Sequence, residues 1–153
     1  MTRILAIDPG TTQSAWLAFD ERPVTFGIEP NDDLLDLIRA GSRWVADVVV
    51  IEQVESYGMA VGREVFETVR WAGRFEEAAQ PTPVVLMPRR TVKLTICHDS
   101  RANDANIRTA LIDRFGGKDA AIGKKAAPGP LFGISKDVWS ALAIACTYAE
   151  GKP

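Results

Sequence analysis

Two short apolar runs, Ile4-Leu5-Ala6-Ile7 and Val48-Val49-Val50-Ile51, have the continuous hydrophobic pattern of strands covered on both faces. Each ends in a carboxylate, Asp8 or Glu52, and Pro9-Gly10 stops the first strand immediately after its acid. Ser14 to Phe19 and Arg22 to Ile28, separated by Asp20-Glu21, read as two more strands, so three antiparallel strands open the chain. Pro83 to Met87 reads as a fifth.

Between these strands the pattern turns helical. Asn31-Asp32-Asp33 offers N-cap candidates for a helix carrying Leu34, Leu35, Leu37 and Ile38 and ending near Gly41. A long helix is expected from about Val61 to Ala79, closed by Pro81, with Val65, Phe66, Val69 and Ala72 as its apolar stripe. Trp71, Phe75 and Ala78 flank that stripe, which widens the apolar arc beyond one sheet contact and suits a helix that also meets a second subunit. Burial deeper within its own fold is the plainer alternative. Pro88-Arg89-Arg90 leads into a short helix from Thr91 to Cys97, and Asn103 to Phe115 forms another, stopped by Gly116-Gly117. Residues 118–133, rich in lysine, glycine and proline, are expected to be a mobile basic loop. Ser135 can cap a last helix to about Glu150, with Val138, Ala141, Leu142, Ala145 and Ala149 as its buried stripe. The order predicts an α/β fold: a mixed five-stranded sheet, three antiparallel strands then two parallel, flanked by helices. In such sheets polar sites collect at the carboxyl ends of the parallel strands.

Length and charge narrow the picture. The 153 residues, 46% hydrophobic, suffice for one domain spanning 1–153 with a proper core. With 18 Lys+Arg against 20 Asp+Glu the formal net charge is −2, so any contact with a polyanion must come from local basic clusters. Cys97 and Cys146 have no zinc-like spacing and read as packing residues of a reduced protein. No signal peptide or membrane-spanning run is legible, and a cytoplasmic protein without membrane contact is expected.

If the first and fourth strands are parallel neighbours, Asp8 and Glu52 emerge side by side. Two such carboxylates suit a hard divalent ion, Mg²⁺ or Mn²⁺, which takes oxygen ligands and keeps water and phosphate as the others. A third carboxylate is available in Asp137, in the first turn of the last helix, with Ser140 one turn on. Singly, each acid has a plainer use: Asp8 as a turn former, Glu52 as a solvated strand end, Asp137 as a partner of the helix dipole.

The residues Ile7-Asp8-Pro9-Gly10, Val50-Ile51-Glu52-Gln53-Val54, Ala72-Gly73-Arg74 within a long helix, Pro88 before a helix with Lys93, and Asp137-Val-Trp-Ser-Ala-Leu-Ala-Ile-Ala together carry a likeness. The chain resembles the RuvC family of Holliday-junction resolvases, of the ribonuclease H-like superfamily, in the short form carried by bacteriophages. The resemblance implies a ribonuclease H-like fold and catalytic, metal-binding roles for Asp8, Glu52 and Asp137. It implies two Mg²⁺ or Mn²⁺ ions per site, and a homodimer that nicks two strands of a four-way junction in a bacterial cell or phage-infected host. The chain departs from the pattern at Ser140, where the family commonly has an Asp. Lys136 and Ser140 are auxiliary candidates.

Candidate DNA contacts are Arg89, Arg90 and Lys93, then Lys118, Lys124 and Lys125, and Arg63, Arg70 and Arg74 on the long helix. Tyr57 and Met59 follow Glu52 where the family wedges the junction open. Trp71 and Phe75 are the dimer-interface candidates, and His98, the single histidine, has no evident reason to face the carboxylates. Two other readings compete. Ile7-Asp8-Pro9-Gly10-Thr11-Thr12 also resembles the phosphate loop of actin-like ATPases and sugar kinases, which need two such domains around a cleft. A non-catalytic branched-DNA binder is the other, because the last helix is one acid short.

Overall fold

The computed structural model describes residues 2–41 and 45–151. Strands β1 (Ile4–Asp8), β2 (Gln13–Phe19) and β3 (Pro23–Pro30) form an antiparallel meander. Helix α1 (Asn31–Arg39) leads to β4 (Val48–Gln53), helix α2 (Arg63–Ala79) to β5 (Val84–Pro88), and both β4 and β5 join the sheet in parallel. The order β3-β2-β1-β4-β5 puts the two continuous apolar runs, β1 and β4, at the centre. There both faces must be covered, and successive residues of β1 serve two cores in turn. Ile4 and Ala6 pack with Val48 and Val50 on one face, while Ile7 packs with Val49 and Ile51 on the other.

The first face is covered by α3 (Arg89–Cys97), α4 (Asp104–Arg114) and above all α6 (Val138–Gly151). A buried arc of one side was expected for α6, including Ala149. Instead the helix is buried on nearly every side from Val138 to Thr147, and Ala149 is exposed. The small residues Ala141, Ala143 and Ala145 let it lie against β1 and β2 while α3 and α4 cover its back. Thr147, the polar residue inside this arc, donates its hydroxyl to the Ala143 carbonyl at 2.7 Å.

The second face carries α1 and α2, and here the expected flank of α2 enters the core, while of the expected stripe only Ala72 packs against it. Phe75 and Ala79 enter the core with Leu34 and Leu35, whereas Phe66 is 64% and Val69 48% exposed. Trp71 stacks on Phe75 with ring centroids 5.8 Å apart, and Arg74 lies over Trp71 at 4.1 Å. Phe75 is therefore a core residue and cannot present itself to a partner subunit, and Trp71 is partly spent on the same cluster.

The stretch expected to be a mobile basic loop is built of regular elements. Helix α5 (Lys118–Ala121) and a small hairpin, β6 (Gly123–Lys124) with β7 (Ala127–Pro128), occupy it, and Ala121, Leu131 and Ile134 anchor it in the core. Gly129 passes so close to the Ala120 and Ala121 carbonyls that a Cβ would stand 2.3 Å from each. Among the described residues no helix is long and apolar enough to cross a membrane.

Arg114 ties the far ends of three helices together. It donates to the Thr95 and Ile96 carbonyls at the end of α3, at 3.2 and 3.0 Å, and to the Glu150 carboxylate on α6 at 2.9 to 3.2 Å. Charge-assisted bonds to otherwise unpaired helix-end carbonyls exceed ordinary surface pairs in strength. Arg114→Ala is expected to cost about 2 kcal/mol, read as a lowered urea midpoint with unchanged m-value, and Glu150→Gln about half of that.

Candidate active site

The parallel register of β1 and β4 sets Ile7 beside Ile51, so the next residues, Asp8 and Glu52, leave the sheet together at its carboxyl edge. The two carboxyl groups stand close enough that ionisation of one opposes ionisation of the other. Burial, first, and then the hydrogen bond and charge of Glu52 and the charge of Asp137 push the Asp8 carboxyl up to about 9, with Arg89 alone opposing. At neutral pH the free pair therefore favours keeping one proton.

The turn that releases Asp8 from the strand is fixed by a buried polar network. The Gly10 N–H donates to Ser14 Oγ at 3.1 Å, Ser14 Oγ donates to Asn31 Oδ1 at 2.5 Å, and Asn31 Nδ2 donates to the Gly10 carbonyl at 3.0 Å. Asn31, expected among the N-cap candidates of α1, uses its side chain here, and α1 begins without a side-chain cap. Gly10 is required because a Cβ would lie 2.3 Å from the Gln13 carbonyl oxygen.

Glu52 opens onto a cleft of about 380 Å³ between α3, α4 and the start of α6. Its floor is apolar, with Val92, Ile107 and Trp139, and its rim carries Arg89, Asp104, Arg108, Lys136, Asp137 and Ser140. Asp137 stands at the start of α6, where its main-chain carbonyl accepts the N–H groups of Ser140 and Ala141. Lys136 precedes it in left-handed backbone, φ 50°. Arg89, the first residue of α3, reaches Glu52 at 3.5 Å and makes a closer contact with Asp104 in the first turn of α4. Burial works against its charge, but Asp104 and Glu52 outweigh that and hold it protonated.

Of the expected site residues, Glu52, Lys136, Asp137 and Ser140 line one cleft, and Asp8 leaves the sheet beside Glu52 without lining it. Among the expected DNA contacts, Arg89, Arg90 and Lys93 line a second hollow of about 270 Å³ with Tyr57 and Ser100. Arg89 differs from the expectation of a free phosphate contact, since it is already paired inside the cleft. Tyr57 and Met59 are 58% and 73% exposed. Arg63, Arg70, Lys118, Lys124 and Lys125 are exposed but line neither hollow, and Arg74 is engaged with Trp71. His98 is exposed in left-handed backbone at the end of α3, and burial raises the Cys146 thiol to about 12, which makes it an inert packing group. Sequence reasoning missed Asp104, Arg108 and Trp139, whose ring lies 5.1 Å under the Arg108 guanidinium. The available signal was Asn103-Asp104 opening α4 in a capping box with Asn106, which turns Asp104 and Arg108, four apart, to one side.

Asp8 and Glu52 fit a divalent cation: adjacent oxygen donors, strained by proximity, that a dication would relieve. Asp137 acts on Asp8 through space, and among the described residues no three acidic, imidazole or thiol side chains are placed together to hold a metal ion. That donor set suits an ion that keeps water and substrate oxygens in its shell.

The sheet order and its covering helices define the ribonuclease H-like class of α/β fold. The chain is similar over nearly its whole length to solved RuvC structures. It matches T. thermophilus RuvC in complex with a Holliday junction substrate with a TM-score of 0.71 at 21% identity, over 97% of this chain and 93% of that one. It matches a further Thermus thermophilus RuvC structure with a TM-score of 0.67 at 21% identity, over 96% and 93%. Neither a protein-family model nor a curated protein matches. At this identity the likeness is one of fold.

The raised Asp8 carboxyl has a consequence for stability. Between the unfolded carboxyl range near 4 and the folded value of about 9, the native state holds a proton that the unfolded state has lost. Asp8 therefore contributes stability at low pH that disappears as pH rises toward 9. Asp8→Asn removes this slope, and in EDTA its Tm is expected to exceed the parent's by about 3 °C or more at pH 8 and by less at pH 5. Equal differences at both values would contradict the assignment.

Proposed function

We propose that this chain is a RuvC-type endonuclease that resolves four-way and related branched DNA by metal-dependent phosphodiester hydrolysis. The observation that carries the reading is the Asp8–Glu52 pair, forced together at the head of a cleft that also holds Asp137. The RuvC fold, one of whose solved examples is bound to a Holliday junction substrate, supports it further. Asp8 and Glu52 are the ligands proposed for Mg²⁺ or Mn²⁺, two ions in the fullest form, with Asp137 facing them across the cleft. Asp8 and Glu52 would hold the cation, whose chemistry there would be activation of a water and relief of charge on the leaving oxygen. Asp8 must release its proton to become a ligand, Asp137 supplies negative charge at the cleft mouth, and Lys136 is suited to a phosphate oxygen. Arg90 and Lys93 are suited to the flanking backbone, with Tyr57 in the same hollow and Met59 exposed two residues further along the chain for contact with unstacked bases.

Cutting of a synthetic four-way junction in Mg²⁺ or Mn²⁺ tests this directly. The parent protein is expected to leave 5′-phosphate and 3′-hydroxyl ends, and Glu52→Gln to lose roughly 10²-fold or more in rate with junction binding retained. Junction binding by the parent without metal-dependent cutting would favour a non-catalytic binder, a reading that Ser140 in place of a further acid keeps open.

Paired nicking calls for two sites, and we propose a homodimer through the exposed side of α2. Phe66 and Val69, rather than Trp71 and Phe75, are the residues free to make it. The parent is expected to sediment as a dimer at micromolar concentration, and Phe66→Arg as a folded monomer. A monomeric parent would refute the assembly.

A further inference from the structure

Arg89 occupies a position that the metal-dependent reading leaves without a role. Its backbone is fixed where β5 becomes α3, next to the end of β4, because Gln53 pairs with Pro88 in the sheet. From there its guanidinium spans two acids of different character: Glu52, whose side chain is 13% exposed, and Asp104, which is 82% exposed. The grip is unequal. Nη1 stands 3.5 Å from Glu52 Oε1, a loose contact, while Nη2 is in close contact with Asp104. A planar fork with two terminal nitrogens can hold both at once, which an ammonium cannot. Among the described residues, neither Lys136 nor Arg108, the other cations of the cleft, makes an ion pair with Glu52.

We infer that Arg89 is a resident counter-ion of the carboxylate site, which a divalent cation must displace from Glu52, and that Asp104 is the positioning residue that retains it once displaced. The inference rests on the metal-dependent reading above. A guanidinium and a dication cannot share one carboxylate oxygen at short range without strong repulsion. Because the dication competes for Glu52 and not for Asp104, the Glu52 contact is the one that yields, and Asp104 remains to hold the side chain at the cleft rim. On this account cation affinity is set by an exchange at Glu52. Asp104 acts only through Arg89, because it holds the guanidinium back from Glu52; without Asp104 the fork closes on Glu52 alone and competes harder.

Mn²⁺ binding to the DNA-free full chain, measured by titration calorimetry at fixed ionic strength, tests this. Arg89→Gln is expected to tighten binding about fivefold, and Asp104→Asn to weaken it by a similar factor. The double variant Arg89→Gln/Asp104→Asn is expected to match Arg89→Gln within about twofold, because Asp104 has nothing left to act through. Arg89→Lys, which keeps the charge without the fork, is expected to fall between the parent and Arg89→Gln and serves if the glutamine variant does not fold. Unchanged or weaker binding by Arg89→Gln, or a double variant that returns to the parent value through simple cancellation of charges, overturns the inference. A parent that binds Mn²⁺ while Arg89→Gln leaves affinity unaltered removes the exchange but spares the metal-dependent reading, whereas a parent that binds none removes both.

Discussion

Two carboxyl groups are pressed together because two strands cannot slip. The parallel pairing of β1 with β4 is stabilised by the interleaved apolar side chains of both cores, and a shift of one residue would turn every one of them to the wrong face. At the opposite end of the pair, Arg3 fixes the same register by clasping Asp47 through its main-chain N–H at 2.8 Å and its guanidinium at 3.0 Å. Asp8 and Glu52 inherit a separation that their own charges would never choose. The cost of that proximity is met by a proton in the free protein, and the site is a place where burial of the sheet has been converted into demand for positive charge.

The remaining parts of the site answer to the same demand from different layers. The Ser14–Asn31 network holds the Gly10 turn, so the aim of Asp8 is a property of the α1 side of the sheet. Glu52 looks the other way, into the cleft made by α3, α4 and α6. Asp137 arrives at the end of a helix sunk in the core, which gives an exposed carboxylate an unusually rigid mount. Glu52 and Asp137 line that cleft together, and Asp8 stands beside Glu52 at the sheet edge.

What could be read from the sequence follows from the range of the interaction responsible. The central strands and their terminal acids are written locally, as an apolar run closed by Asp8-Pro9-Gly10 or by Glu52-Gln53, and both emerged where expected. Asp137 was legible for the same reason. The side of α2 that enters the core was not, because Phe66 and Phe75 are equally apolar and lie on opposite sides of the helix, so the local pattern does not say which side meets the sheet. Residues 118–133 looked like a loop because glycine, proline and lysine dominate, yet Ala121, Leu131 and Ile134 are spaced too widely to register as a pattern and suffice to dock it. The Arg89 pairing was hidden because its partners lie 37 and 15 residues away in sequence.

Helix α6 follows every strand of the sheet in the chain, and that order bears on when the molecule becomes what it is. A nascent chain carries all five strands, with Asp8 and Glu52 in place, before the helix that fills their common core has been made. Until α6 docks, β1 and β2 lack the apolar cover that stabilises them, and Asp137 has no fixed position. Docking of α6 therefore completes the core and fixes Asp137 at the cleft in a single step.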